Sequence, residues 1–287
     1  MKDFDIIPLD NLPKDIIYTI DDINIKKNST YLNIVKTSYK EYEKQFLNVI
    51  NNIKKGNTYI FNLTNETKIS NNISLKNIYE SCNAKYKLYY KNKFLSFSPE
   101  TFVKISSNKI YSFPMKGTID AKIKNAKNKI LNNKKELAEH TMIVDLIRND
   151  LSIYASDVNV DKFRYIEKIK AGNKDLYQVS SKISAQLPNN WNENIGNILC
   201  SLLPAGSITG TPKRSTVNLI NKIENYNRDF FTGIWGVYDG ENIDTSVLIR
   251  FIQNNNGSYV YKSGGGITID SDCLSEYNEM NDKIYIP

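Results

Sequence analysis

Between Tyr86 and Ser112 the chain runs as short stretches of aromatic and β-branched residues, separated by the polar turns Lys91-Asn92-Lys93 and Ser107-Asn108. Turns this short join only antiparallel neighbours, because a parallel pair needs a crossover of about a dozen residues. The same punctuation returns at Asp239-Gly240, between Phe231 to Tyr238 and Thr245 to Gln253, and at Asn254 to Gly257, before Tyr259 to Lys262. Helical patterns lie between these blocks, so the expected class is α+β, built on large antiparallel sheets. The clearest helix is Ser38 to Lys55, where Tyr42, Phe46, Val49 and Ile53 share a face and Gly56 closes the end. Thr58 to Leu63 reads as a strand, and Ser74 as the cap of a helix through Cys82. A polar, lysine-rich helix begins near Ile123 and turns amphipathic over Thr141 to Leu151. Tyr177 to Gln186 reads as a strand and Ile195 to Leu203 as a helix. Pro204 to Gly210 is expected to be a loop, Pro212 to open a helix, and Ser271 to Ile284 to form the last helix.

With 287 residues, 40% of them hydrophobic, the chain can bury a sizeable core. Its formal charge of +7 admits anionic partners, but the lysines are dispersed and form no nucleic-acid motif. Neither nucleic acid nor membrane is therefore an expected partner, and a small anionic substrate is. Cys82, Cys200 and Cys273 show no CxxC spacing, which points to reduced thiols and no zinc site. The first residues lack the apolar run of a signal peptide, and no segment has the ~18 apolar residues of a membrane span. A soluble, cytoplasmic protein is expected.

Chemistry-bearing residues gather in a few places. Phe113-Pro114-Met115-Lys116-Gly117-Thr118 interrupts strand-like sequence; Pro114 holds Phe113 extended and Gly117 permits close backbone approach to a ligand. Lys116 there is either a solvated lysine or a nucleophile activated by its surroundings. Glu136 with Glu139, and Glu276 with Glu279, place two carboxylates on one face of each of two helices. These are either solvated acidic faces or, if the faces meet, a set of hard oxygen ligands suited to Mg²⁺. His140, the sole histidine, is a poor basis for a transition-metal site. Gly206-Ser207-Ile208-Thr209-Gly210-Thr211-Pro212-Lys213 reads as an anion cradle, with Thr209 and Lys213 as donors, or as a plain helix start. Gly264-Gly265-Gly266 is a sharp turn, or a place where backbone N–H groups reach a carboxylate.

Taken in order, these stretches resemble the chorismate-utilising enzymes, which include anthranilate synthase, aminodeoxychorismate synthase component I and the isochorismate and salicylate synthases. The likeness also rests on Ser98-Pro99-Glu100, on Met142 to Asp150, on Asp244-Thr245-Ser246 with Arg250, and on Glu276-x-x-Glu279-x-x-x-Lys283. It runs from about Lys93 to Lys283. The resemblance implies an α/β/β/α sandwich, large antiparallel sheets packed face to face and flanked by helices, in a single domain over 1–287. Residues 1–90 would be a shortened N-terminal part of it.

The lysine form at 116 is similar to the aminodeoxychorismate synthase component I branch, where that lysine attacks C2 of chorismate. The resemblance makes Glu100 the general acid, with a raised pKa. It implies Mg²⁺ held by Glu139 and Glu279, with Glu276 and Glu136 in its shell. Thr118, Arg250, Lys283 and the Gly264 to Gly266 backbone would hold substrate carboxylates. Ammonia would come from a glutamine amidotransferase subunit. Ile60 stands where the isochorismate and salicylate branch has a water-activating lysine. Two departures are Gln178 and Phe231, at a usual histidine and a usual tyrosine. Anthranilate synthase component I, and a catalytically weak binding subunit, are the alternatives.

Overall fold

The computed structural model describes residues 5–21, 32–70, 74–171 and 174–287. The extreme N-terminus read for a leader lies largely outside them. After a 3-10 turn at Leu9–Asn11 come β1 (Ile16–Ile20), β2 (Ile34–Val35), α1 (Tyr39–Lys54), β3 (Ile60–Ile69) and α2 (Leu75–Ser81). A strand-rich stretch follows: β4 (Tyr86–Tyr90), β5 (Phe94–Ser98), β6 (Thr101–Ser106), β7 (Lys109–Ser112) and β8 (Met115–Asp120). Then come α3 (Ala126–Leu131), α4 (Lys134–Leu151), β9 (Ser156–Ala171) and β10 (Lys174–Gln186). The chain continues through α5 (Ile195–Leu202), α6 (Gly206–Thr209), β11 (Gly210–Thr211) and α7 (Lys213–Ile223). It closes with β12 (Ile234–Tyr238), β13 (Ile243–Val247), β14 (Phe251–Asn255), β15 (Ser258–Ile267) and α8 (Cys273–Asp282).

The strands form two antiparallel sheets, and the molecule is α+β. One runs β1-β4-β5-β14-β15-β3-β11, with β2 beside β3; the other runs β12-β13-β6-β7-β10-β8, with β9 beside β10. Period-two burial assigns the faces. On β3, Phe61 and Leu63 pack under Tyr42, Phe46 and Val49 of α1 and Ile220 of α7, while Ile60 and Asn62 point the other way. In the second sheet Val103, Ile105, Ile110 and Ile183 pack under Val144 of α4 and Ile198 of α5. Each sheet thus has its own helix-covered apolar face.

The opposite faces meet in a seam that is largely polar. Tyr86 Oη sits 2.8 Å from Thr101 Oγ1 and donates to Asp244 Oδ1 at 2.7 Å, and Lys104 pairs with the same carboxylate at 2.6 Å. Phe94, Phe231, Leu248 and Phe251 form an apolar cluster where the sheets adjoin.

Four expectations change. The stretch Thr245 to Gln253 is not one strand: β13 ends at Val247 in one sheet and β14 starts at Phe251 in the other, with Arg250 at φ +50° between them. Gly264 to Gly266 is not a turn but lies inside β15, paired with Thr64, Leu63 and Asn62. The lysine-rich helix is two helices, broken at Asn132 and Asn133, whose short amides compete for backbone bonds. The Pro204 to Gly210 loop contains the single turn of α6. Strand β9 follows no simple alternation, because register shifts and the positive φ of Asp157 and Arg164 interrupt it.

Candidate active site

Lys116 lies in β8 and owes its direction to a bulge in that strand. Thr118 pairs with Gln178 and Met115 with Ser180, so Lys116 and Gly117 together oppose the single residue Val179. Gly117 takes φ +91°, which an L side chain adopts only with strain. Pro114 holds the preceding residue extended, and its carbonyl accepts from Ser181 N at 2.9 Å. Lys116 Nζ is thereby set 2.9 Å from Glu139 Oε2.

Helix α4 presents Glu136 and Glu139 on the side facing that bulge, and Asn133 caps it by accepting from Glu136 N at 3.1 Å. A β-carbon on Gly117 would lie 2.8 Å from Glu136 Oε2. Helix α8, capped by Asp272, brings the second acid pair. Lys135 spans the two helices, 3.8 Å from Glu139 Oε1 and 3.4 Å from Glu276 Oε1. Lys283 pairs with Glu279 at 2.7 Å and donates to Gly264 O at 2.9 Å. The glycine at 265 leaves open the space between these groups: its missing β-carbon would lie 3.6 Å from Glu276 Oε2, 3.6 Å from Lys283 Nζ and 3.8 Å from Glu279 Oε1.

Lys116, Glu139, Glu100, Ser207, Asn62 and Gly266 contribute walls to one cleft. Glu100 accepts from Ser207 Oγ at 3.1 Å through Oε1. Burial pushes its carboxyl above the usual range, against the pull of the Ser207 bond, Arg250 and Lys283. Burial alone would favour the neutral Lys116 amine, but Glu139, Glu279 and Glu136 outweigh it and move the group up, so it stands as an ammonium. Glu279 is held below the usual range chiefly by Lys283. Lys283 is itself moved down by burial, with Arg250 and Lys116 adding to the effect against Glu279. Burial pushes Glu136 up.

The donor set suits a hard cation such as Mg²⁺: four carboxylates, with Glu136 Oε2 and Glu139 Oε1 buried and lacking a hydrogen-bond partner. In the arrangement shown, lysine ammoniums pair with Glu139, Glu276 and Glu279. Among the described residues no three acidic, histidine or cysteine side chains stand close enough to hold an ion. His140 supplies no ligand here, but it borders the site at the backbone of Lys116. It is fully buried, its Nε2 is 2.7 Å from Ser181 Oγ, and burial lowers its pKa to about 4.

Other sequence-selected residues lie beside the cleft or outside it. Arg250 is half-buried, 5.5 Å from the Tyr285 ring, with Nε buried and unpartnered. Thr118 is exposed. Thr209 and Lys213, read from the sequence as donors of an anion cradle, have protein partners of their own. Thr209 Oγ1 donates to Ala205 O at 2.9 Å; Lys213 Nζ donates to Leu202 O at 2.8 Å and pairs with Asp150 at 2.7 Å. Both brace α6 and α7 locally. From the same loop it is Ser207 that reaches the cleft, with Asn62 of β3 bonded to its carbonyl at 3.0 Å. A signal for Asn62 existed: it shares the period-two face of Ile60, which also lines the cleft. Phe231 packs with Phe94, Leu248 and Phe251, a buried role its ring fills without a hydroxyl.

Comparison with known proteins gives these sites a context. Residues 21–287 match the family model described as chorismate binding enzyme. An uncharacterised PabA-like protein of Haemophilus influenzae is 44% identical over 290 residues, covering 98% of this chain and 88% of that protein. Aminodeoxychorismate synthase component 1 of Escherichia coli is 35% identical over 201 residues, 66% of this chain but 42% of that protein. The chain therefore spans less than half the length of that relative. Among solved structures, anthranilate synthase component I from Streptococcus pneumoniae superposes with a TM-score of 0.75 at 22% identity, covering 91% of this chain and 60% of that one. An isochorismate synthase from Bacillus anthracis gives 0.74 at 22% identity, covering 90% and 74%. These two share the fold.

Proposed function

Since this chain belongs to the chorismate binding enzyme family and is a chorismate-utilising enzyme, we propose that it acts as an aminodeoxychorismate synthase component I, converting chorismate and ammonia to 4-amino-4-deoxychorismate. The observation that carries the reading is Lys116, aimed by a bulge into the cleft that Glu100 also lines. Once free of its proton and of the Glu139 pair, the amine adds at C2 of the substrate. The ring double bonds shift, the C4–O bond breaks, and Glu100 gives its proton to the departing hydroxyl. Ammonia then adds at C4, the double bonds return, and the C2–N bond to Lys116 breaks. Burial of Glu100 moves its pKa up, towards the protonated form that this task needs. Ile60 occupies the cleft wall and offers no base to activate water in place of the amine.

Glu139 and Glu279, with Glu276 and Glu136 around them, would hold Mg²⁺, which neutralises substrate carboxylate charge when bound. Arg250 and Lys283 supply further positive charge near Glu100 for the substrate's carboxylates. We assign ammonia supply to a glutamine amidotransferase subunit, in line with the component naming of the aminodeoxychorismate synthase relatives.

The test is product analysis with chorismate, Mg²⁺ and ammonium for wild type and Lys116→Ala. Aminodeoxychorismate without pyruvate from wild type, and its loss in the variant, is the expected result. Glu100→Gln should lower kcat by about 10²–10⁴-fold. Anthranilate with pyruvate would move the protein to the anthranilate synthases, a reading supported by 33% identity over 198 residues to the probable anthranilate synthase component 1 of Schizosaccharomyces pombe. No turnover would favour a binding subunit.

A further inference from the structure

Behind the cleft lies a buried network that the chemistry above does not use. Arg228 forms a two-pronged pair with Glu224, Nε to Oε2 at 2.8 Å and Nη2 to Oε1 at 2.7 Å. The Glu224 side chain is 1% exposed, and Oε1 also accepts from Thr64 N and Thr64 Oγ1, each at 2.9 Å. The guanidinium has N–H groups left over, and they go to two main-chain carbonyls: Nη1 to Ile208 at 3.1 Å and Nη2 to Asn62 at 2.7 Å. Those two carbonyls flank a path into the cleft. Asn62 Nδ2 donates to Ser207 O at 3.0 Å, and Ser207 Oγ donates to Glu100 Oε1 at 3.1 Å.

We propose that Arg228, locked by Glu224, is a positioning residue that fixes Ser207 through Asn62 and Ile208, so that the serine hydroxyl caps one oxygen of Glu100 and leaves the other to carry the transferred proton. The inference rests on the reading of Glu100 as general acid. Its logic is local. A hydroxyl donating to Oε1 makes that oxygen the poorer proton site, so the proton sits on Oε2. Helix α6 is a single turn without a side-chain cap, and it does not fix the Ser207 hydroxyl by itself. The fork supplies the missing rigidity from outside the cleft, because one planar group grips both β3 and α6. Removing either partner would leave a buried charge uncompensated, so the pair holds one geometry firmly.

Glu100 is faced by Ser207 from α6, by Arg250 from the β13–β14 connection and by Lys283 at the end of α8, with Lys116 and Glu139 on the same cleft. All these charges persist when Ser207 or Arg228 is replaced, so a changed Glu100 titration reports the serine contact. The experiment is infrared titration of the Glu100 carboxyl, with Glu100→Gln as the subtraction, in wild type, Ser207→Ala, Arg228→Lys and the double variant. Loss of a donor to the carboxylate form should raise the midpoint in Ser207→Ala by about one pH unit. Arg228→Lys should raise it in the same direction, and the double variant no further than Ser207→Ala alone. An unchanged midpoint in Arg228→Lys, or additive shifts in the double variant, would overturn the proposal and reduce the fork to a brace. Should Arg228→Lys fail to fold by circular dichroism, Asn62→Ser cuts the same path with the fork intact, and the same two outcomes decide. The titration needs no turnover. A protein that leaves chorismate unchanged would sink the functional reading, while the infrared result still decides the positioning path.

Discussion

Glu100 is held where ionisation is disfavoured, and that has a thermodynamic signature separate from catalysis. Its folded pKa is raised above the unfolded value, chiefly by burial. Between the unfolded pKa and the folded one, the native state keeps a proton that the unfolded chain has lost. Stability contributed by this group is therefore fully present below about pH 4 and is lost as pH rises through the folded pKa. Glu100→Gln removes the burden, so it should raise Tm at pH 7.5 and leave it unchanged near pH 4, even as turnover falls. A variant no more stable than wild type at pH 7.5 would mean the carboxyl ionises freely. This single-residue reading was legible in the sequence only through the resemblance, since Ser98-Pro99-Glu100 has no spacing that marks an acid. Ser207 was hidden for a physical reason. Two hydroxyls in one loop look equivalent until the helical turn of α6 directs Thr209 back to its own backbone and Ser207 to Glu100.

At the scale of elements, the glycines of β15 do unlike things. A β-carbon on Gly264 would lie 2.4 Å from Leu63 O, a backbone atom of the paired strand that has nowhere to go. One on Gly265 would meet only charged side-chain ends at 3.6–3.8 Å, an ordinary contact distance. Gly264→Ala should therefore cost about 3 kcal/mol or more in urea denaturation, as overpacking against rigid backbone does. Gly265→Ala should fold with stability within about 1 kcal/mol of wild type and raise KM for chorismate, because the methyl sits among Glu276, Glu279 and Lys283. Equal destabilisation by both variants would refute the distinction. Sequence reasoning found these glycines but placed them in a turn, because three together usually mark one. What it lacked was the pairing partner, which turns a loss of side chains into a close approach between strands. Helix α1 was legible almost to the residue because its apolar spacing and closing glycine agree. Strand β9 was not, since its alternation restarts after each register shift.

The whole molecule sets two helix-covered apolar faces outward and leaves a polar seam between the sheets, and the candidate site lies along that seam. Lys116 comes from β8, Gly266 from β15, Asn62 from β3 and Ser207 from α6, so no single sheet assembles the cleft. Composition announced a core large enough for such a molecule, but not its division into separate apolar layers. If polar contacts hold the seam, their loss should appear in global stability. Tyr86 is fully buried and its hydroxyl joins Thr101 to Asp244. Tyr86→Phe leaves both neighbours another partner, Lys85 for Thr101 at 2.9 Å and Lys104 for Asp244 at 2.6 Å, so it should cost only about 1 kcal/mol. Asp244→Ala instead takes the charged acceptor from the buried Tyr86 hydroxyl, leaving it only Thr101, and deprives Lys104 of its closest counter-charge. It should cost about 2–3 kcal/mol by urea denaturation at an unchanged m-value. A larger cost for Tyr86→Phe than for Asp244→Ala would instead put the strength of the seam in the Tyr86–Thr101 contact, because both variants keep the ring packed on Trp235, whose centroid lies 6.3 Å away.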